Sequence, residues 1–138
     1  MKEVKLRIKT TMRKQGEMIE QTYYGKWTQK VDSWILMYKE DVEGAGGVMT
    51  TVKSYDQGAI IIRTGAIRMR QEFRLGRWTE GKYDGPFGSM LMKTKTERLQ
   101  VADGRFLLHY RLKLNGEDLG RYELEILMDD TVDGKSDT

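Results

Sequence analysis

Hydrophobic and polar residues alternate along most of the chain. In residues 4–12, mostly apolar side chains alternate with mostly basic ones. Residues 106–114 and 122–128 likewise alternate apolar with mostly polar side chains. A period of two is typical of strands that bury one face. Helical periodicity is nearly absent, and turn sequences such as Asn115-Gly116 separate the alternating stretches. The pattern predicts an all-β protein of about eight to ten strands.

These strands are expected to close into a barrel. Short turns join antiparallel neighbours, so the strands follow one another in meander order. A flat sheet of this size would leave exposed edges, which closure removes. We therefore predict an antiparallel up-and-down β-barrel, formed by a single domain over residues 1–129. Residues 130–138 are polar and acidic, and we predict a disordered tail there.

A hairpin over residues 60–75 is the central element of the prediction. Its first arm is a run of three isoleucines, which predicts a strand buried on both faces. Thr64-Gly65 predicts the turn, because glycine adopts positive φ without strain. Four hydrophobic residues of the second arm are predicted to face the interior: Ile67, Met69, Phe73 and Leu75. Gln71 is the single polar residue on that face, so its amide needs partners inside the barrel.

This polar interruption leaves two alternatives for the interior. A ligand-binding barrel has a mostly apolar wall with a few fixed polar groups. The candidates for such a lumen are Gln71, Met69, Phe73, Tyr23, Thr94, Thr96 and Tyr110. In a filled barrel, Gln71 would instead bond to a neighbouring threonine, tyrosine or water. The sequence slightly favours the filled or nearly filled barrel.

Composition narrows the class of protein. The chain has 138 residues, of which 38% are hydrophobic and 33% charged, enough for one domain with a real core. It contains no cysteine, which excludes disulfides and thiolate metal sites. The N-terminus has no apolar signal segment, and no run is long enough to span a membrane. We expect a cytoplasmic protein without membrane contact.

The distribution of charge predicts a second candidate site, on the outer surface of the barrel. The net charge is +3, and the last ten residues carry −3, which leaves +6 on residues 1–128. A basic outer face is predicted from Arg68, Arg70, Arg74 and Arg111. Glu72, Glu123 and Glu125 are expected among these bases, where cross-strand pairs would neutralise part of the charge. Nucleic acid is therefore not expected as a partner. The three tryptophans leave a homodimer contact open.

The sequence gives little support for catalysis or metal binding. His109 is the only histidine, and alternation places it on the outer face beside Arg111. No metal-ligand spacing, nucleophile motif or phosphate-binding loop occurs. The sequence predicts no enzyme activity, no cofactor and no metal site.

A family resemblance adds to this interpretation. Residues 63–73, then Tyr83, Phe87-Gly88 and residues 91–96, resemble the YwiB-like family of uncharacterised bacterial proteins. The similarity covers nearly the whole chain. It implies a lipocalin-like (calycin) β-barrel of bacterial cytoplasmic origin and brings no established activity, cofactor or catalytic residue.

Two function hypotheses follow. The first is a calycin-like barrel that binds a small apolar or amphipathic ligand in its lumen. The alternative is an interaction protein whose basic outer face contacts nucleic acid or an acidic protein.

Overall fold

The computed structural model describes residues 2–42, 46–86 and 88–129, and the secondary-structure elements in these ranges are ten strands. The strands are β1 (Lys2–Met12), β2 (Glu17–Gln29), β3 (Trp34–Val42), β4 (Gly46–Tyr55), β5 (Gly58–Gly65), β6 (Arg68–Arg74), β7 (Trp78–Gly85), β8 (Gly88–Ala102), β9 (Arg105–Leu114) and β10 (Glu117–Asp129). None of the described residues forms a helix that is long and apolar enough to span a membrane. The predicted acidic tail lies outside the described residues.

The strands form a closed antiparallel barrel in meander order. Each strand pairs with its neighbours in sequence, and β1 closes the barrel by pairing with β10. In that closing pair, Leu6 lies opposite Met128 and Ile8 lies opposite Ile126. The prediction of an up-and-down barrel is confirmed, and the topology is consistent with a lipocalin-like fold.

Alternation places one face of each strand inside the barrel. In β1, Val4, Leu6 and Ile8 are buried, while the intervening basic residues are exposed. The core gathers around Phe73, Phe106 and Leu36, none of which is exposed to solvent. Phe106 packs edge-on against Trp34, with ring centroids 5.4 Å apart. These residues fill one end of the barrel, which we call the packed end.

The central hairpin differs from its prediction in three details. The isoleucines of β5 are half-buried, because only one face of this strand meets the core. Strand β5 continues through Gly65, whose φ of +121° and close approach to the Gly47 carbonyl require glycine. The turn therefore lies at Ala66-Ile67. Leu75 was predicted to face inward but is 42% exposed, because β6 ends at Arg74 and Leu75 makes only a single bridge to Thr96.

Gly25 marks the place where the barrel wall opens. A side chain there would meet the Met37 carbonyl oxygen at 2.4 Å, so only glycine allows β2 and β3 to approach so closely. Pairing between β2 and β3 runs from Gly25 to Gln29. The first part of β2, residues 17–24, pairs with β1 alone. Gly25 thus lies at the point where two neighbouring strands separate.

Candidate functional site

The end of the barrel opposite the packed core is partly open to solvent. This open end is where β1 ends and β2 begins. Ile19 lies opposite the inward-facing Thr10, yet it is 48% exposed. Gln21, on the same face of β2, is also exposed, and Tyr23 is half-buried. Ile67 is buried and limits solvent access on the β5–β6 side. The opening therefore lies above β1, β2 and β10.

An ion pair on the inner face of the barrel joins β3 and β5 near this end. Glu40 of β3 has a side chain only 10% exposed, and Arg63 of β5 one 24% exposed. The Arg63 Nη2 donates to both carboxylate oxygens of Glu40 at 2.9 Å, and Nε donates to Oε2 at 3.3 Å. The Thr50 hydroxyl donates a further hydrogen bond to Glu40. Within the described part of the chain, no acceptor bonds to the Nη1 of Arg63.

Two pairs of tyrosines lie near the open end, and one of them, Tyr23 with Tyr38, adjoins the ion pair. Tyr23 packs against Tyr38 with ring centroids 5.2 Å apart, and Tyr110 stacks on Tyr122 at 5.6 Å. Burial raises the pKa of Tyr23, the Glu40 carboxylate raises it further, and Arg63 opposes the rise. Burial likewise raises the pKa of Tyr110. These hydroxyls stay protonated at neutral pH and can donate hydrogen bonds.

Sequence reasoning missed the ion pair. Glu40 continues the inward alternation of Trp34, Leu36 and Tyr38, and the parity of β5 likewise turns Arg63 inward with Ile61. Extending the alternation two residues beyond Tyr38 would have found Glu40. Because charged residues are expected to face outward, neither Glu40 nor Arg63 was predicted to lie inside the barrel.

The predicted lumen residues divide between the core and the open end. Gln71 is 4% exposed, and its Nε2 donates to the Thr94 hydroxyl at 2.6 Å. This is the contact of the filled-barrel alternative. Phe73 and Thr96 are fully buried within the packed part of the barrel. Among the predicted candidates, Met69 lies opposite Arg63 in the β5–β6 pair, and Tyr23 and Tyr110 are close enough for the Arg63 charge to affect their pKa.

Thr94 and Thr96 supply a matched test, because they share one face of β8 but differ in hydrogen bonding. The Thr96 hydroxyl is buried without a partner among the described residues. We expect Thr94→Val to destabilise the protein by about 1–2 kcal/mol, since the Gln71 amide loses its acceptor. Thr96→Val should stabilise it by about 1 kcal/mol, since an unsatisfied hydroxyl is removed. Urea unfolding measures both changes in the free energy of unfolding. Changes of the same sign would contradict the hydrogen bonding assigned to the two threonines.

Met69 lies opposite Arg63 on the inner face of β6 and also borders a cleft. This cleft, of about 250 Å³, also includes Arg63 and Arg68. A separate groove of about 580 Å³ lies outside the wall at Gly25, with Tyr24, Met37 and Met49 forming its apolar part. None of the predicted lumen residues lines this outer groove.

The predicted basic outer face is partly neutralised. Arg74 lies 3.5 Å from Glu72, and Arg111 lies 3.4 Å from Glu97. Arg68 faces Asp84 across the β6–β7 pair, whereas Arg70 faces Lys82. The four arginines therefore do not act as one uniform patch.

His109 lies on the outer face, as predicted, but it is surrounded by charged side chains. It is half-buried and opposite Glu123, which forms an ion pair with Arg13 at 3.0 Å. In the described ranges, no three acidic or histidine side chains cluster closely enough to hold a metal ion.

The pKa of His109 is expected below its ordinary value of 6.5. Burial lowers it, Glu123 opposes this effect, and nearby arginines add to the lowering. Since the unfolded chain then binds more protons, the free energy of unfolding should fall as the pH drops below 6.5. NMR titration of this single imidazole measures the pKa directly. Glu123→Gln should lower it further, and a pKa above 6.5 in the unsubstituted protein would contradict the prediction.

Comparisons with known proteins agree with this architecture. Residues 4–126 match a family described as a domain of unknown function, DUF1934. The chain is 30% identical over 120 residues to the uncharacterized beta-barrel protein YwiB of Bacillus subtilis (strain 168), covering 83% of this chain and 84% of the relative. The crystal structure of the ywiB protein from Bacillus subtilis superposes with a TM-score of 0.79 at 25% identity, covering 94% of this chain and 92% of that one. The resemblance seen in the sequence is confirmed.

Proposed function

The chain belongs to the DUF1934 family of YwiB-like β-barrel proteins, and from this premise we propose that it binds one small amphipathic ligand at the open end of its barrel. In this proposal the protein is a cytoplasmic binding protein and not an enzyme. The ligand places a polar acceptor group against Arg63 and its apolar part against the tyrosines.

The observation that carries the proposal is the inward-facing guanidinium of Arg63. Burying such a group is unfavourable unless it is paired, and Glu40 satisfies only part of it. The Arg63 side chain is 24% exposed and Tyr23 is half-buried, while Ile19 and Gln21, on the same face of β2 as Tyr23, are exposed to solvent. A few fixed donors in an apolar and aromatic wall are typical of small-molecule sites.

The same geometry indicates the chemical class of the ligand. The Arg63 nitrogen that has no acceptor among the described residues favours a carboxylate, sulfonate or carbonyl head group. The half-buried Tyr110, Tyr122 and Leu124 offer an apolar surface next to it. A fully apolar ligand would leave the donors unpaired, which disfavours it.

Titration with 8-anilinonaphthalene-1-sulfonate, an amphipathic anionic dye, tests this function. We expect a saturable fluorescence increase with one dye per chain. Glu40→Met combined with Arg63→Met should weaken binding about tenfold, as expected for loss of one charged hydrogen bond.

Arg7→Met is the matched control, because Arg7 is exposed on the outer face of β1 and only approaches Glu20 at 3.9 Å. It should leave dye binding unchanged. Near-UV circular dichroism verifies that each variant keeps its tertiary packing, since loosely packed states also bind this dye. Equal affinity of the double variant and the unsubstituted protein would refute the proposed site.

A further inference from the structure

The outer face of strands β6 to β9 contains an unfavourable arrangement of charge. The pairing register puts like charges directly opposite each other at three neighbouring places, and such pairs destabilise a sheet. The three pairs are Arg70 with Lys82, Lys93 with Lys113, and Lys95 with Arg111. We call the surface made by these six residues the cationic face.

The acidic residues that the sequence was expected to supply lie elsewhere. Glu123 pairs with Arg13, Glu125 pairs with Arg105, and Glu72 lies beside Arg74. On the cationic face itself, Glu97 neutralises Arg111, and Glu80 lies opposite Lys93 without an ion pair. In the described ranges, no carboxylate forms an ion pair with the other five cations of this face.

An exposed tryptophan lies among these cations. Trp78 is 46% exposed, and the Lys113 ammonium lies 5.0 Å from the centroid of its ring. Trp78 also faces Lys95 across the β7–β8 pair. An aromatic ring next to unpaired cations is the combination by which proteins bind single-stranded nucleic acids, since bases stack on the ring and phosphates approach the cations.

The surface around Trp78 is concave. A groove of about 380 Å³ is lined by Trp78, Lys93 and Lys113. A second groove, of about 340 Å³, includes Arg70 and Lys82, and Glu80 borders both grooves. The concavities thus run side by side across the cationic face.

We propose that the cationic face binds single-stranded nucleic acid, with a base stacked on Trp78 and phosphates on Lys93, Lys113 and Lys95. Charge complementarity identifies a polyanion, and the exposed indole favours a polymer with stacking bases over an acidic peptide. This site lies on the outside of the barrel and is independent of the ligand proposed for the open end. It develops the alternative function suggested by the sequence on a different set of cations, since only Arg70 and Arg111 of the predicted basic residues belong to the cationic face.

Fluorescence anisotropy with labelled 15-nucleotide dT and rU oligomers at low salt tests the proposal with the full chain. We expect binding that weakens linearly as the logarithm of salt concentration rises. Trp78→Ala should weaken binding about tenfold. Lys93→Ala combined with Lys113→Ala should make the salt slope shallower by about 1.4, the contribution of two phosphate contacts on a single strand.

Lys5→Ala combined with Lys9→Ala is the matched control, since it removes the same charge from the exposed face of β1. We expect the control to retain most of the affinity. Undetectable binding at low salt would overturn the proposal, and so would an equal loss in the control. Unchanged affinity in Trp78→Ala, together with equal binding of poly-glutamate, would identify an acidic-protein surface instead. The Glu40→Met/Arg63→Met variant should bind the oligomers normally, which separates this test from that of the open end.

Discussion

Glu40→Ala is expected to destabilise the protein by about 3 kcal/mol, the lower end of the range for breaking a buried ion pair. The substitution leaves the Arg63 guanidinium without its carboxylate and removes the acceptor of the Thr50 hydroxyl. The lower end applies because the Arg63 side chain is 24% exposed and can still reach water. Urea unfolding monitored by circular dichroism measures the change.

The double variant Glu40→Met/Arg63→Met controls for this effect. Replacing both partners by apolar side chains of similar size is often neutral or stabilising, because no buried charge remains. We expect it to regain most of the stability lost in Glu40→Ala. If the single substitution changes the free energy of unfolding by less than about 1 kcal/mol, the pair is not buried as described.

Phe106→Ala should have the largest effect, a loss of about 4 kcal/mol. Phe106 has no exposed surface and packs against Trp34, so its truncation leaves a cavity in the packed end. The matched control is Tyr24→Ala, because Tyr24 is 61% exposed. Its truncation should cost less than about 1 kcal/mol. Similar losses for the two variants would contradict a packed end built around Phe106.

The architecture could be predicted from the sequence because alternation reports directly which face of a strand is buried. The inward residues Val4, Leu6 and Ile8 of β1 follow it, as do Phe106, Leu108 and Leu112 of β9, although Leu107 on the outward face of β9 is also buried. Alternation alone is insufficient where a strand is irregular. An irregularity of β8 between Thr96 and Arg98 shifts the pattern by one residue, so that Leu99 packs against the core.

The two candidate sites depend on information that no single strand carries. Arg63 meets Glu40 because β4 brings β3 and β5 together, 23 residues apart in sequence. The cationic face depends on register: a shift of β9 by one residue against β8 would turn Arg111 and Lys113 to the other side. Pairwise strand register is a property of the folded barrel, so neither site follows from composition or charge.

Methionine methyl groups report directly on the central claim that the open end, and not the outer groove, receives the ligand. The protein labelled with ¹³C at its methionine methyls can be titrated with dodecanoate and followed by NMR. Met12 lies at the open end opposite Tyr122, whereas Met37 and Met49 line the outer groove. We predict saturable shifts of the Met12 signal with those of Met37 and Met49 unchanged. Shifts confined to Met37 and Met49, or no saturable shift at all, would contradict the account.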